Sequence, residues 1–298
     1  MRILLTGANG FLGQVVTGNL NSTSYIKTIG RKNANIKVNL VQNQPLIDEA
    51  FDLVVHAAGK AHAVPRTEAE KQTFFNVNTT GTQNLLKGLE KAPELPQYFV
   101  FISSVSVYGV ETGDLISEDV PLLAEDAYGK SKIQAEQIVR DWCTKNNVIC
   151  TILRLPLLMG PNPPGNLGAM IKGIKKGYYF NIAGGKAKKS MVLAEDVAKI
   201  IPVVAKVGGI YNLTDRYHPN FYELSDLIAN QLHRSRPRNI PLFAAKVIAE
   251  IGDLISNKAP FNSSKLNKII SDLTFDDSKA VKAFGWNPTP VLEGFQIQ

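Results

Sequence analysis

Cysteine is nearly absent from this 298-residue chain, which holds only Cys143 and Cys150. Two thiols cannot build a disulfide framework. The four histidines supply no cluster at zinc-ligand spacing, and His56 and His62 flank one loop without a third ligand. A reducing compartment is therefore expected, and a metal is not. Long apolar runs are also missing. The most apolar late stretch, 242–255, is interrupted by Lys246, Glu250 and Asp253. It is too short and too charged to span a bilayer. Its spacing suits an amphipathic helix on a core, with a membrane surface as the lesser alternative. No apolar leader precedes the opening strand pattern Arg2-Ile3-Leu4-Leu5-Thr6, so a cytoplasmic location is expected. Internal repeats and low-complexity runs do not occur. Acidic residues are the minority, with a net charge of +7. The densest basic groups are Lys186, Lys188, Lys189 and Arg234, Arg236, Arg238. Neither has the aromatic interleaving of a single-strand binder or the pattern of a recognition helix, so no nucleic-acid partner is expected. A phosphorylated small molecule satisfies the same charge.

With 44% apolar and 20% charged residues, the chain has ordinary globular composition. Strand signals over 3–6, 25–29, 36–40, 53–56, 98–103 and 148–155 alternate with helical ones over 11–20, 72–90 and 128–145. This order predicts an α/β fold of Rossmann type: a doubly wound parallel sheet whose strands, covered on both faces, read as continuous apolar runs. Pro161, Pro163, Pro164 and Gly165 then break the alternation. Helices are predicted over 167–176, 195–205, 222–232 and 244–255. The expected division is a dinucleotide-binding domain over 1–160, with return segments near 189–213, and a smaller, mainly helical substrate lobe over 161–298.

Thr6-Gly7-Ala8-Asn9-Gly10-Phe11-Leu12-Gly13 follows the first strand and opens a helix. Gly7 permits the tight turn, Gly10 lets backbone approach a pyrophosphate, and Gly13 allows close helix–strand packing. The free N–H groups at the helix start, from Asn9 through Phe11 and Leu12, can then hold an anion. An acid for the ribose diol of NAD is expected about 20 residues on. Arg31 and Lys32 stand there instead. They suit a 2′-phosphate and favour NADP(H) over NAD(H), unless Arg31 only stacks on adenine or faces solvent.

Tyr128 and Lys132 are four residues apart and share one helix face. A neighbouring ammonium is expected to favour the phenolate, allowing Tyr128 to exchange a proton with a substrate hydroxyl during hydride transfer. Ser104, at a strand end where such sheets open, can donate to the same oxygen.

Taken together these stations resemble the extended short-chain dehydrogenases, the NAD-dependent epimerase/dehydratase family. The resemblance runs through Thr6–Gly13, His56-Ala57-Ala58-Gly59, 78–86, 103–109, Tyr128/Lys132, Arg154-Leu155-Pro156, Gly160-Pro161 and the tail 277–288. It implies a catalytic set of Ser104, Tyr128 and Lys132. It implies cofactor contacts from Ala57, Ala58, Gly59 and Asn78, and substrate diphosphate contacts near Asn166 and Leu167. Asn78 alternatively satisfies a helix kink, and Asn166 alternatively caps a helix. The chain departs from the family's sugar epimerases in lacking an R-x-G-D arginine over 255–275, a charge that Lys188 or Lys189 could supply. Segments 165–177 and 188–192 look most like the subgroup that reduces UDP-4-keto-6-deoxy-N-acetylhexosamines.

The expected activity is therefore oxidoreduction at C4 of a nucleotide-linked hexose, with 4-ketoreduction slightly preferred to 4-epimerisation. A 4,6-dehydratase fits less well, because Ser104 is followed by Val105-Ser106 and not by an acid. The rivals are a reductase of a non-nucleotide ketone and an NADP-sensing regulator, though the latter would be expected to lose Tyr128 or Lys132. A homodimer is left open. Asp114, Glu118 and Asp119 read as loop acids, His218 and His233 as surface residues, and Trp142 and Trp286 as core or interface.

Overall fold

The structure, a computed structural model, describes residues 1–61, 65–255 and 261–297. His62 lies outside them. The first half is built from β1 (Arg2–Thr6), α1 (Phe11–Leu20), β2 (Tyr25–Gly30), β3 (Ile36–Lys37), β4 (Leu53–His56), α2 (Glu68–Phe75), α3 (Gly81–Leu89) and β5 (Tyr98–Ser104). Then follow β6 (Gly113–Ile116), α4 (Ala127–Lys145), β7 (Ile149–Leu155), β8 (Leu157–Met159), α5 (Gly165–Lys176), β9 (Asn181–Ile182), β10 (Met191–Leu193), α6 (Ala194–Val204) and β11 (Gly209–Asn212). The chain ends with α7 (Phe221–Gln231), β12 (Asn239–Ile240), α8 (Leu242–Ile255), α9 (Ser263–Ile270), β13 (Leu273–Phe275), α10 (Ser278–Phe284) and α11 (Val291–Gly294).

Seven parallel strands form the central sheet in the order β3-β2-β1-β4-β5-β7-β11. Alternate side chains feed two cores. Ile3, Leu5, Leu53 and Val55 pack with Leu12, Val16, Val197 and Ile201 of α1 and α6. Leu4, Val54, Phe99 and Phe101 pack with Leu85, Leu89, Ala135 and Val139 of α3 and α4. The expected Rossmann-type sheet is present, and β11 extends it after the chain has left it at β7. The third strand is shorter than its apolar pattern suggested, because it pairs only at the sheet edge. The single helix expected over 72–90 begins earlier and passes through a π-helical turn, Asn76–Thr80, between α2 and α3.

Strand order reverses between β1 and β4, so the loops that follow these two strands part there and open a crevice. His56 seals its floor. Its Nδ1 accepts from Thr6 Oγ1 at 2.6 Å, and its Nε2–H donates to Thr82 Oγ1 at 2.8 Å, whose own proton goes to the Asn78 carbonyl. The ring is fixed as the neutral Nε2–H tautomer. Burial, with the Lys132 charge second, pushes its pKa down to about 3.

A site that refuses a proton in the folded state but accepts one when unfolded, at about 6.5, makes stability rise with pH between those values. Stability should therefore fall as pH drops from 6.5 toward 3, with His56 contributing up to about 1.4 kcal/mol per pH unit. Urea midpoints across this range should show a shallower decline for His56→Gln, which has no ring to protonate.

Candidate active site

The loop after β1 is shaped by backbone contact. Gly7 has φ +75°, and a Cβ there would meet the Ala58 nitrogen at 2.6 Å. A Cβ on Gly13 would meet the Gly7 carbonyl at 2.0 Å. Glycine at both positions lets α1 and the 57–58 backbone close onto the loop. The loop is also tied at its rim: Asn9 Nδ2 donates to the Lys32 carbonyl at 2.7 Å, and Ala58 N–H donates to Thr6 Oγ1 at 3.1 Å. Gly10 caps α1 without a side-chain hydrogen bond, and no acid lies in the first turn. The first N–H groups of α1 are left for an anion. Phe11 packs toward Gly160, and Leu12 is buried in the core, so Leu12 can serve a ligand only through its backbone.

The second strand delivers Arg31 and Lys32 to an exposed loop braced by Thr28 and Asn35. Among the described residues, no hydrogen bond, ion pair or ring contact engages the Arg31 guanidinium. These features fit a dinucleotide: a bare helix terminus, glycines where backbones touch, and two cations but no acid after β2. The nicotinamide end would meet α4, while Arg31 and Lys32 are the charges available to the adenosine end.

Helix α4 starts where Asp126 accepts from the N–H groups of Tyr128 and Gly129, both at 3.0 Å. Gly129 is needed there, since a Cβ would meet the Ala124 Cβ at 2.4 Å and the Ser106 carbonyl at 2.8 Å. This approach brings the Tyr128 side chain beside Ser104 at the end of β5. Ser104 also donates to Ser106 Oγ and accepts from its N–H, each at 3.2 Å. One turn on, Lys132 is buried, with Nζ donating to the Ile102 carbonyl at 2.6 Å and lying 4.0 Å from the Phe101 ring centroid.

Burial pushes the Lys132 ammonium down to about 7, opposed by the Glu136 carboxylate. Burial likewise pushes the Tyr128 phenol up. The influence that lowers it is the neighbouring Ser104 hydroxyl, not the ammonium expected from sequence. The reason is positional: Nζ is turned onto the β5 carbonyl.

Asn78 sits in the π-helical turn and is fully engaged. It accepts from Lys60 N–H at 2.7 Å and donates to the Lys60 carbonyl at 3.1 Å and to Ser131 Oγ at 2.9 Å. It thus splices the loop bearing Ala57, Ala58 and Gly59 to α4, which is the kink-satisfying alternative and not a free ligand group. Asn166 is exposed in the first turn of α5, whose cap is Pro164, so it does not cap the helix. The Leu167 side chain is buried in the core packed between α5 and α7 and leaves only backbone for a ligand. Lys189 Nζ donates to the Lys268 carbonyl at 2.9 Å, and burial lowers its pKa. No contact among the described residues joins Asn166, Leu167 or Lys189 to the Ser104–Tyr128 pair.

Sequence reading missed Glu136, one turn beyond Lys132. It receives Arg154 through two hydrogen bonds, 3.2 and 2.8 Å, and Ser103 through a third. Arg154 continues to Tyr108, and Tyr108 to Asn212. Glu118, expected as a loop acid, is half-buried and accepts from the Asn212 N–H at 2.7 Å. His218, expected at the surface, is partly buried against Ser190 Oγ at 2.9 Å. The i, i+4 spacing of Lys132 and Glu136 was the available signal; the arginine partner lies on β7, outside the helix. The two cysteines, on α4 and β7, are neighbouring free thiols.

A family model described as "NAD dependent epimerase/dehydratase family" matches residues 3–214. The chain belongs to that family. It is therefore an enzyme of the nucleotide-sugar epimerase/dehydratase type, with a nicotinamide cofactor. An N-acetyl-alpha-D-glucosaminyl-diphospho-ditrans,octacis-undecaprenol 4-epimerase of Escherichia coli O157:H7 is 27% identical over 93% of this chain and 88% of its own. A UDP-glucose 4-epimerase of Vibrio cholerae is 26% identical over 99% and 93%. Among solved structures, RMD from Pseudomonas aeruginosa complexed with NADPH superposes with a TM-score of 0.75 at 19% identity, covering 98% of this chain and 96% of that one. A Thermus thermophilus UDP-glucose 4-epimerase complex with NAD gives 0.71 at 18%, covering 97% and 94%. Among the described residues no helix is long and apolar enough to cross a membrane, and no group of His, Cys, Asp and Glu could hold a metal ion.

Two outcomes follow for α4. Tyr128→Phe should reduce turnover by about 10²–10⁴-fold while leaving cofactor binding nearly intact, as measured by steady-state rates beside cofactor titration. Glu136→Gln strands the buried Arg154 charge and should cost about 3–5 kcal/mol in urea unfolding. Much of that loss should return in Glu136→Gln/Arg154→Met.

Proposed function

We propose that this enzyme transfers a hydride and a proton at C4 of a hexose carried on a nucleotide diphosphate. Ser104, Tyr128 and Lys132 are its catalytic residues. The supporting observation is the placing of Tyr128 beside Ser104 at the end of β5, on the same sheet edge as the bare α1 terminus. A nicotinamide dinucleotide bound there supplies or accepts the hydride. Ser104 and Tyr128 share one substrate oxygen, Ser104 orienting it and Tyr128 giving or taking its proton. Asn78 holds α4 against the loop at 57–60, and Lys132, its ammonium on the Ile102 carbonyl one turn from the phenol, is the cation that would serve the cofactor's ribose. Residues 1–160, with the return near 189–213, bind the cofactor, and residues 161–298 bind the substrate. The uncapped start of α5 offers Asn166 and the Leu167 N–H to the diphosphate, with Lys189 as a further source of charge.

The direction proposed is net reduction of a 4-ketone with NADP(H). A phenol held protonated by burial suits donation to a ketone oxygen, and Arg31 with Lys32 suits a 2′-phosphate. Epimerisation is the second reading, favoured by the names of the full-length relatives. The Escherichia coli relative's name further favours a sugar diphosphate on a polyprenol as an alternative carrier.

A UDP-4-keto-6-deoxyhexosamine should consume one NADPH per turnover, read as loss of nicotinamide absorbance. UDP-N-acetylglucosamine converted to its C4 epimer without NADPH loss would establish epimerisation instead. Wild type should bind NADPH more tightly than NADH, and Arg31→Asp should flatten or reverse that ratio in a binding titration.

A further inference from the structure

Helix α8 turns its apolar side outward. Phe243, Val247, Ile248, Ile251, Leu254 and Ile255 are all exposed, Phe243 by 74% and Leu254 by 87%. At 100° per residue these six fall on one broad face. The small residues Ala245, Ala249 and Gly252 form a separate buried stripe, with Ala245 and Ala249 packed on Leu266 of α9. The helix therefore meets its own protein through small side chains and presents its large apolar ones to solvent. That is the reverse of a helix whose purpose is to fill a core, and a contiguous patch of this kind marks an interaction site.

The surroundings specify the partner. Tyr178 and Phe180 are also exposed, just ahead of β9, and β9 pairs with β12 at the entrance to α8. From 232 to 272 the chain carries seven Lys or Arg against three Asp or Glu. Arg234 and Arg238 are exposed ahead of the helix, and Lys175 and Lys176 close α5 beside the exposed aromatics. Of the two acids on α8, Asp253 already accepts from Ser263. A second copy on this face would bring like-charged flanks together across a two-fold axis. An apolar face with aromatic and basic borders instead matches the interfacial region and negative headgroups of a bilayer.

We infer that the outer face of α8 docks on the surface of an anionic phospholipid bilayer, lying in the interface without crossing it. This inference does not rest on the catalytic reading, because its test uses no substrate.

The full-length chain should float with phosphatidylcholine vesicles containing phosphatidylglycerol, and bind far less to pure phosphatidylcholine or in high salt. Ile251→Glu/Leu254→Glu should weaken that binding by about tenfold or more, and Arg238→Glu should weaken it as well. A Phe243→Trp variant should add emission that shifts to the blue on vesicle addition, reporting insertion without relying on a disruptive substitution. Turnover of a water-soluble substrate by the Glu variant should be unchanged. Failure of wild type to bind the anionic vesicles would overturn the inference. So would a chain that is dimeric by light scattering and made monomeric by Ile251→Glu/Leu254→Glu, since the face would then belong to a second copy.

Discussion

A carboxylate and a guanidinium removed from water must meet in good geometry, because either alone would carry a large desolvation cost. Glu136 and Arg154 are in that position, each with a side chain 3% exposed. Their two hydrogen bonds join α4 to β7, while the Ser103 hydroxyl adds β5. Once α4 is held at Glu136, the helical repeat determines where Lys132 and Tyr128 stand one and two turns earlier. The Ile102 carbonyl receives the ammonium, and Gly129 lets the first turn come close enough for Tyr128 to reach Ser104. The polar interior beneath the site is thus part of its alignment, and its extension through Tyr108 and Asn212 carries the alignment to the outer strand β11.

The cofactor side is organised by a different means. Thr6, His56 and Thr82 form a closed hydrogen-bond chain that needs a neutral ring, and burial keeps it neutral. Above this floor, glycine lets the β1 loop rest on the 57–58 backbone, and the N–H groups of α1 stay available. Asn78 joins the two halves through Lys60 and Ser131. Rigidity at the floor and open N–H groups at the rim suit a long anionic ligand whose ends meet different parts of the sheet edge.

The proposed catalytic edge and the α8 face are built on opposite principles. At the edge, polar groups are buried and paired. On α8, large apolar groups are exposed and unpaired, with basic residues around them. A fold shared with distant relatives accounts for the first. The second is a local property of residues 242–255 and their neighbours, and it concerns where the enzyme works, not what it does.

Much of the molecule was legible in the residues because it rests on short-range rules. The alternation of apolar strands and amphipathic helices gave the parallel sheet, the glycines at 7, 10 and 13 gave the phosphate loop, and Tyr128 and Lys132 shared a helix face by spacing alone. Sequence separation hid the rest. Glu136 and Arg154 are 18 residues apart, Tyr108 and Asn212 are 104 apart, and no local pattern pairs them. Burial, which a sequence does not state, raised the Tyr128 phenol, lowered Lys132 and sent its ammonium to the Ile102 carbonyl. The apolar residues of 242–255 showed an amphipathic helix in either case. Only the packing of Ala245 and Ala249 on Leu266 decided that the large side chains face outward, because small residues permit the close helix–helix approach that large ones would prevent.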